Sequence, residues 1–300
     1  MDMTPYSDYW NQVFPTYMEH WHANLLPHTM PATMMRMTRE ETESLLAINF
    51  MKVEELVGDK GEEETMKQIR RHRGILEDLE QRIDNAILGY GKSGFVRLNS
   101  RSPKDSWLGV GSNGTFECRN AQHAMDLMKT SERIYDDLAN ALAQDTPMFF
   151  VIRPWLDIDP HREFRIIKHR EHLSVSQYFY DRIWQEGAVS IPPIILLREL
   201  QRFVYQLGDK LPANVVLDVV VTPRFDVQSM ALTRDLEGAI KLSPRGHVSI
   251  EIMIIELNPF CTFTDPCLFD WGKDPMDHSE MRFLVEDPAS PKGYKVHRIC

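Results

Sequence analysis

Two strongly apolar stretches in the C-terminal half constrain the fold most, because each carries acidic side chains that a buried strand has to neutralise. Residues 215–221 are aliphatic except for Asp218, and residues 250–260 have an apolar body that ends in Glu256 and Asn258. A bare carboxylate in an apolar sheet costs several kcal/mol. Asp218 is therefore predicted to be paired, metal-bound or protonated.

The end of the second stretch favours a magnesium site. Glu256 and Asn258 are two residues apart, so on a strand both side chains point to the same face. Mg²⁺ binds through one or two carboxylates and leaves its other positions to water and phosphate. The alternatives are that Asp218 lies at a solvated edge and that Glu256 bonds a neighbouring arginine. The combination of Asp218 with Glu256 and Asn258 favours the metal.

The remaining pattern predicts an α+β fold. Apolar residues spaced by three, four or seven predict a long amphipathic helix over residues 62–90. Strands interrupted by helices, without a regular βαβ repeat, indicate α+β or a mixed sheet. The further predicted strands are 95–99, 148–152, 164–168, 174–177, 215–222 and 248–256, the helices are 120–143 and 193–211, and 226–247 is expected to be an inserted polar loop.

Residues 107–118 combine a turn signal with a glycine pattern. Ser112-Asn113-Gly114 between residues 107–110 and 115–118 predicts a hairpin. Gly109, Gly111 and Gly114 also spell G-x-G-x-x-G. A dinucleotide-binding interpretation is disfavoured, because β-like sequence and not a helix follows the glycines.

Composition limits the partners. With 44 Asp+Glu against 34 Lys+Arg, the formal net charge is −10, which disfavours general nucleic-acid binding and suits a basic partner surface. A local RNA-binding groove remains an alternative. No apolar run is long enough to span a bilayer and the start lacks a secretory signal, so we expect a cytoplasmic protein without a membrane partner.

Metal-binding patterns outside the two apolar stretches are weak. Four cysteines without a C-x-x-C pair do not predict a structural zinc site. The pairs His20 with His22 and His169 with His172 have no third ligand nearby in the sequence.

An ordered series of short motifs resembles the Cdc123 (D123) family and covers roughly residues 90–271. The motifs are R-L-N-S from Arg97, S-P-K-D from Ser102, R-P-W from Arg153, E-F-R from Glu163, S-V-S-Q from Ser174, Asp218, E-L-N-P-F from Glu256, T-D from Thr264 and L-F-D-W from Leu268. The resemblance implies an ATP-grasp fold, in which two lobes with mixed or antiparallel sheets clasp ATP with Mg²⁺.

The resemblance also assigns roles to individual residues. It implies that Arg97 and Asn99 approach the phosphates, that Glu163 and Arg165 lie near the ribose and phosphates, and that Tyr178 occupies a phosphate-contact position. The strand and hinge beside the adenine would be formed by Arg153, Pro154 and Trp155, and Mg²⁺ would be bound by Asp218, Glu256 and Asn258. Arg97 and Arg165 are the candidates for a catalytic role.

Three departures from the family pattern indicate a diverged member. Arg97 stands where lysine is usual, Tyr178 where a basic residue is common, and E-L-N-P-F where the family has D-F-N-P-F. The last is similar to the E-x-N of catalytic ATP-grasp ligases.

The resemblance implies an organisation and a function. The expected parts are a mainly helical segment 1–90, a first lobe 91–155, a second lobe 156–275 with the metal site, and a C-terminal tail 276–300. The implied function is an ATP-dependent assembly chaperone that binds the gamma subunit of eukaryotic initiation factor 2. The alternative is an ATP-grasp ligase that activates a carboxylate or an RNA end.

Overall fold

The chain divides into two compact units. The computed structural model describes residues 11–111, 114–185, 187–224, 230–234, 240–244 and 249–300. The N-terminal unit contains Met30–Leu156 and Tyr17–Glu19. The C-terminal unit contains Asp157–Cys300, His20–Thr29 and the described part of Met1–Thr16.

Helices and one antiparallel sheet form the N-terminal unit. The sheet has the order β1-β4-β2-β3, and its neighbouring strands are antiparallel. Its elements are β1 (Thr33–Arg36), α1 (Arg39–Ala47), α2 (Phe50–Lys60), α3 (Glu62–Gly89), β2 (Gly94–Leu98), the short α4 (Trp107–Val110), β3 (Glu117–Cys118), α5 (Ala121–Lys129), α6 (Glu132–Ala143) and β4 (Phe149–Pro154).

The long helix α3 confirms the amphipathic pattern. Its buried apolar residues Leu76, Leu79, Ile83 and Ile87 follow the helical repeat and enter the core of the unit. Gly61 precedes the helix with a φ of +79°, a conformation that favours glycine, and so separates α3 from α2.

The predicted hairpin over residues 107–118 is wrong. Residues Trp107–Val110 form one helical turn, in which Gly109 N and Val110 N donate to the Ser106 carbonyl. A Cβ at Gly109 would lie 2.2 Å from the Phe116 ring, so glycine here permits close packing of Phe116 and not a β-turn. Only Glu117–Cys118 pairs as a strand, and Ser112 and Asn113 lie outside the described residues.

The predicted helix over 120–143 is two helices. The helix α5 ends at Lys129, and α6 begins after Ser131, whose hydroxyl accepts from the Ile134 N–H. A serine that caps a new helix in this way interrupts the first one.

A mixed six-stranded sheet organises the C-terminal unit. Its order is β10-β7-β5-β6-β11-β12, with β6 and β11 parallel and the other neighbouring pairs antiparallel. The elements are β5 (Glu163–His169), β6 (His172–Gln177), α7 (Pro193–Leu207), β7 (Asn214–Arg224), β8 (Met230–Arg234), β9 (Ile240–Pro244), β10 (Ser249–Asn258), β11 (Glu280–Glu286) and β12 (Tyr294–Ile299).

The structure of this unit differs from the sequence-based expectation at three places. The helix predicted over 193–211 ends at Leu207, because Gly208 adopts a φ of +55° at its C-cap. The expected polar loop contains the antiparallel strands β8 and β9, while 226–229, 235–239 and 245–247 lie outside the described residues. The segment 276–300 supplies β11 and β12 to the sheet.

The predicted strands of this unit are confirmed with small shifts at their ends. The strand β7 is buried over most of its length, as its aliphatic sequence predicts. Among the described residues, no helix is both long and apolar enough to cross a bilayer.

Candidate functional site

A row of polar side chains crosses one face of the six-stranded sheet. Residues directly opposite one another in neighbouring strands project to the same face. The register places in one row, from β10 to β11, the residues Glu256, Asp218, Arg165, Ser176 and Arg282. Their side chains are all buried.

Arg165 and Asp218 form the centre of this row. The Arg165 Nε lies 2.7 Å from Asp218 Oδ1, and its Nη2 lies 2.8 Å from Oδ2, so the pair is bidentate. Burial alone would lower the pKa of Arg165, but the charge and hydrogen bonds of Asp218 outweigh burial and raise it. Asp218, which is fully buried, is thus neutralised by a strand neighbour 53 residues away.

Asn258 completes the hydrogen bonding of Asp218. Its Nδ2 donates to Asp218 Oδ2 at 3.1 Å. The pairing of β7 with β10 shifts between Ile254 and Glu256, and this irregularity places Glu256 opposite Asp218. The strand β10 therefore presents a carboxylate and an amide beside Asp218.

The remaining guanidinium nitrogen of Arg165, Nη1, bonds to the loop that follows β10. Its Nη1 donates to the Asp265 carbonyl at 2.6 Å, and its guanidinium lies 5.0 Å from the centre of the Tyr178 ring. The Tyr180 hydroxyl donates to Asp265 Oδ2 at 2.8 Å, and this hydrogen bond raises the pKa of Tyr180. Arg165 thus connects the sheet to the segment that follows β10.

That segment also covers part of the same face. Phe269 and Met276 pack with Ile167 and Val216 of the sheet, and Phe260 and Trp271 pack against this cluster. The Trp271 indole donates to the Thr264 carbonyl at 2.7 Å, and the Thr264 hydroxyl donates to the Pro259 carbonyl at 2.6 Å. The loop is therefore held by packing as well as by Arg165.

Cys267 lies among these charges. Burial raises the pKa of its thiol to about 12; Arg165 opposes this shift, while Asp218, Asp265 and Glu163 add to it. The thiol is consequently protonated at neutral pH and is a poor nucleophile.

The donor set fits Mg²⁺. From the described residues Asp218 accepts three hydrogen bonds, and a carboxylate offers about four lone-pair positions, so it keeps capacity for one metal bond. Because the Asn258 amide donates through Nδ2, its Oδ1 remains an acceptor. With Glu256, these are hard oxygen donors on adjacent strands.

The predicted residues of the N-terminal unit make different contacts. The Arg97 Nε and Nη2 each donate at 2.9 Å, to the carbonyls of Leu98 and Ser100. The Asn99 Nδ2 donates to Glu19 at 2.7 Å, and its Oδ1 accepts from the Phe149 N–H at 3.1 Å. These bonds fix the end of β2, and a role of Arg97 and Asn99 in binding phosphate remains a prediction.

The residues expected beside the adenine lie at the end of β4. Arg153 is buried, with its Nη2 3.6 Å from the Met18 sulfur. Pro154 is the last residue of β4, and the Trp155 N–H donates to the Ser93 carbonyl. In the C-terminal unit, Glu163 begins β5, and its carbonyl accepts from the Tyr178 N–H at 3.0 Å.

Sequence reasoning assigned no role to several residues of the row and its loop. The structure adds Ser176, Asp265, Cys267, Tyr180 and Arg282. The available signal was the requirement that a buried Asp218 have a partner, which did not say which arginine supplies it. Strand register alone makes that choice.

The helices, the antiparallel sheet of the N-terminal unit and the mixed sheet of the C-terminal unit make this an α+β protein, as the sequence predicts. A family model described as D123 matches residues 23–287. The chain belongs to the D123 (Cdc123) family.

Curated relatives and solved structures agree with this assignment. The chain is 27% identical over 263 residues to the "Translation initiation factor eIF2 assembly protein" of Candida albicans, covering 80% of this chain and 68% of the relative. It is 27% identical to the protein of the same name from Lodderomyces elongisporus, covering 79% of this chain but 58% of that relative. The aligned region covers 44% of the length of the relative from Sclerotinia sclerotiorum.

The structure of Cdc123 from Schizosaccharomyces pombe is similar in fold. Its TM-score is 0.60 at 19% identity, with 88% of this chain and 90% of that chain covered. A C-terminally truncated form of the same protein gives a TM-score of 0.61 at 18% identity, with 94% and 98% covered.

Proposed function

We propose that this chain is an ATP- and Mg²⁺-binding assembly factor for eukaryotic translation initiation factor 2, acting on the gamma subunit in the cytoplasm. The observation that carries the proposal is the family match over residues 23–287, with relatives named as assembly proteins of that factor. The net charge of −10 suits a partner with a basic surface, since complementary charge speeds association.

The metal would be bound by Asp218, Glu256 and Asn258. Support comes from the bond between Asn258 and Asp218 and from the position of Glu256 opposite Asp218. Bound Mg²⁺ would neutralise the charge of the ATP phosphates. The proposed nucleotide contacts in the chain are Arg97, Asn99, Arg153, Pro154, Trp155, Glu163, Arg165 and Tyr178.

Arg165 would have two roles in this proposal. It holds Asp218 in place through two hydrogen bonds, and it is a cation beside the proposed phosphate region. Because Asp218 retains acceptor capacity, the arginine and a divalent cation can share this carboxylate. Arg165 is thus a positioning residue for Asp218.

The assembly function is tested with purified subunits. We expect the chain to capture the isolated gamma subunit, and the alpha subunit to join faster when ATP and Mg²⁺ are present. The variant Glu256→Gln should lose the ATP dependence. Glu251→Gln is the matched control, because Glu251 lies on the same strand but pairs with Arg224. Absence of capture, or a joining rate that the chain does not change, would contradict the assembly function.

The E-x-N arrangement of Glu256 and Asn258 favours a second candidate, an ATP-dependent ligase. A ligase would release ADP or AMP steadily, and only when an acid with an amine, or an RNA end, is added. We expect retention of ATP without such release. Release of ADP or AMP that depends on an added acceptor would contradict the assembly function and support the ligase.

A further inference from the structure

A group of three side chains of metal-ligating types lies near the other edge of the six-stranded sheet, at β11 and β12, away from β7 and β10. One ligand atom each of His278, Glu280 and Cys300 lies within 4.8 Å of the others. We propose that these three residues form a transition-metal site that binds Zn²⁺, with water as a fourth ligand. This inference is independent of the proposed function.

The sheet register brings the three residues together. Glu280 begins β11, and His278 precedes it by two residues. Since Met281 pairs with Ile299, antiparallel pairing places Cys300 beside Glu280. Residues distant in sequence therefore meet without any special loop, and no C-x-x-C or H-x-x-H pattern marks the site.

The side chain of His278 is oriented for a metal. Its Nδ1 lies 2.9 Å from Asp277 Oδ1, and its Nε2 lies 3.9 Å from Glu280 Oε1. A carboxylate that accepts a hydrogen bond from one ring N–H fixes the histidine tautomer, so the other ring nitrogen can bind a metal. Many zinc sites contain such a carboxylate hydrogen-bonded to a histidine ligand. Asp277 is thus a positioning residue.

Glu280 is the anchored ligand. It is buried, and its Oε1 accepts from Arg282 Nη2 at 2.6 Å. The bond to Arg282 uses one of about four lone-pair positions of the carboxylate, so Glu280 keeps capacity for a metal. Arg282 also bonds both oxygens of Asp274, so it does not depend on Glu280 alone.

The donor types select the metal. A combination of imidazole nitrogen, carboxylate oxygen and thiolate sulfur suits Zn²⁺, whereas Mg²⁺ prefers oxygen alone. Tetrahedral zinc ligands lie about 3.3–3.8 Å apart for metal–ligand lengths of about 2.0–2.3 Å. The exposed side chains of His278 and Cys300 would close in by about 1 Å, and the Cys300 thiol would release its proton to solvent on binding.

A metal at this site would hold the edge strand β12 to β11. Within the part of the chain that the structure describes, β12 lies at one edge of the sheet and pairs with β11. A metal shared by Cys300, Glu280 and His278 would fasten its end to the start of β11. Zinc should then stabilise the chain by mass action.

The test uses the full chain after treatment with a chelator. Zinc affinity is measured by competition with a chromophoric chelator, and Co²⁺ is added separately as a spectroscopic probe for thiolate ligation. We expect one saturating zinc site, a loss of at least about 100-fold in affinity for His278→Ala and for Cys300→Ser, and a loss of about 10–100-fold for Asp277→Asn. The controls His297→Ala and Cys261→Ser, which change a neighbouring histidine and another thiol, should bind as the unchanged chain does.

Because His278 and Cys300 are exposed, their variants should remain folded. The thiolate-to-cobalt absorption should disappear in Cys300→Ser and persist in Cys261→Ser. Failure of the unchanged chain to compete for zinc would overturn the proposal. Unchanged zinc affinity in both His278→Ala and Cys300→Ser would overturn it as well.

Discussion

Arg97 in the N-terminal unit and Arg165 in the C-terminal unit are both buried arginines in apolar strands, and yet they have different surroundings. Arg97 on β2 donates to the carbonyls of Leu98 and Ser100, which are its own neighbours in the chain. Arg165 on β5 donates to Asp218 on β7 and to the loop carbonyl of Asp265. These two bonds of the first arginine fix a local turn, whereas those of the second connect strands and a loop that are distant in sequence. An arginine in an apolar run therefore identifies a functional site only through its partners.

The largest expected effect comes from removing the carboxylate partner of Arg165. Asp218→Ala leaves a buried guanidinium without its bidentate partner, so we expect a loss of about 3–5 kcal/mol in the free energy of unfolding. Urea denaturation followed by circular dichroism measures this loss. A change of less than about 1 kcal/mol would contradict the view that Asp218 and Arg165 depend on each other.

This result also limits Asp218→Ala as a test of nucleotide binding. A variant that is destabilised to this extent loses ligand binding for structural reasons. Glu256→Gln is the more informative change, because it keeps the shape of the side chain and leaves the bonds of Arg165 with Asp218 and Asp265 in place.

Replacing both members of the pair should restore much of the stability. The double variant Arg165→Met with Asp218→Leu removes both buried charges, and such replacements are often neutral or stabilising. We expect it to be more stable than either single variant in the same urea experiment. A double variant whose loss equals the sum of the two single losses would show that the two residues act independently.

Arg97→Met should have a smaller effect. It leaves two carbonyls without their donor, for which we expect about 1–3 kcal/mol, again from urea denaturation. A loss as large as that of Asp218→Ala would remove the distinction between the two arginines. Arg198→Met on α7 is a suitable control, because Arg198 is an exposed arginine in a regular element.

Acid should weaken the C-terminal unit through Asp274. The hydrogen bond from Arg282 lowers the pKa of Asp274 below its usual 3.8. A carboxyl group whose pKa is lower in the folded chain than in the unfolded chain stabilises the folded state. This contribution is complete at a pH above the pKa of the unfolded chain, and it is lost as the pH falls through the pKa of the folded chain. We expect Asp274→Asn to reduce the change in unfolding free energy between about pH 5 and about pH 2. An unchanged pH dependence would contradict the assignment.

Much of the fold follows from the sequence because the patterns are long. The helix α3 carries its apolar stripe over many turns, and β7 and β10 are extended aliphatic runs. In each case the spacing of the apolar residues and the length of the run indicate the same type of element. The residues Trp107–Val110 are too few to show a period, and the packing of Phe116 on Gly109 decides their conformation. Local turn chemistry alone gave the wrong prediction there.

The site could be predicted only in part for a similar reason. The aliphatic run around Asp218 showed that this carboxylate needs a partner, but the register of β5 against β7 selects Arg165. The contact of Arg165 with Asp265 depends on the course of the loop after β10. The group His278, Glu280 and Cys300 depends on the pairing of β11 with β12, which no local motif encodes.

We propose above that Asp218, Glu256 and Asn258 of the C-terminal sheet bind Mg²⁺ together with ATP. Calorimetric titration of ATP into the full chain, with Mg²⁺ and then with EDTA, tests it most directly. We predict binding that requires Mg²⁺, a loss of at least about 10-fold in affinity for Glu256→Gln, and unchanged affinity for the control Glu251→Gln. Absence of ATP binding at millimolar ATP with Mg²⁺, or equal affinity in Glu256→Gln and the unchanged chain, would contradict the claim.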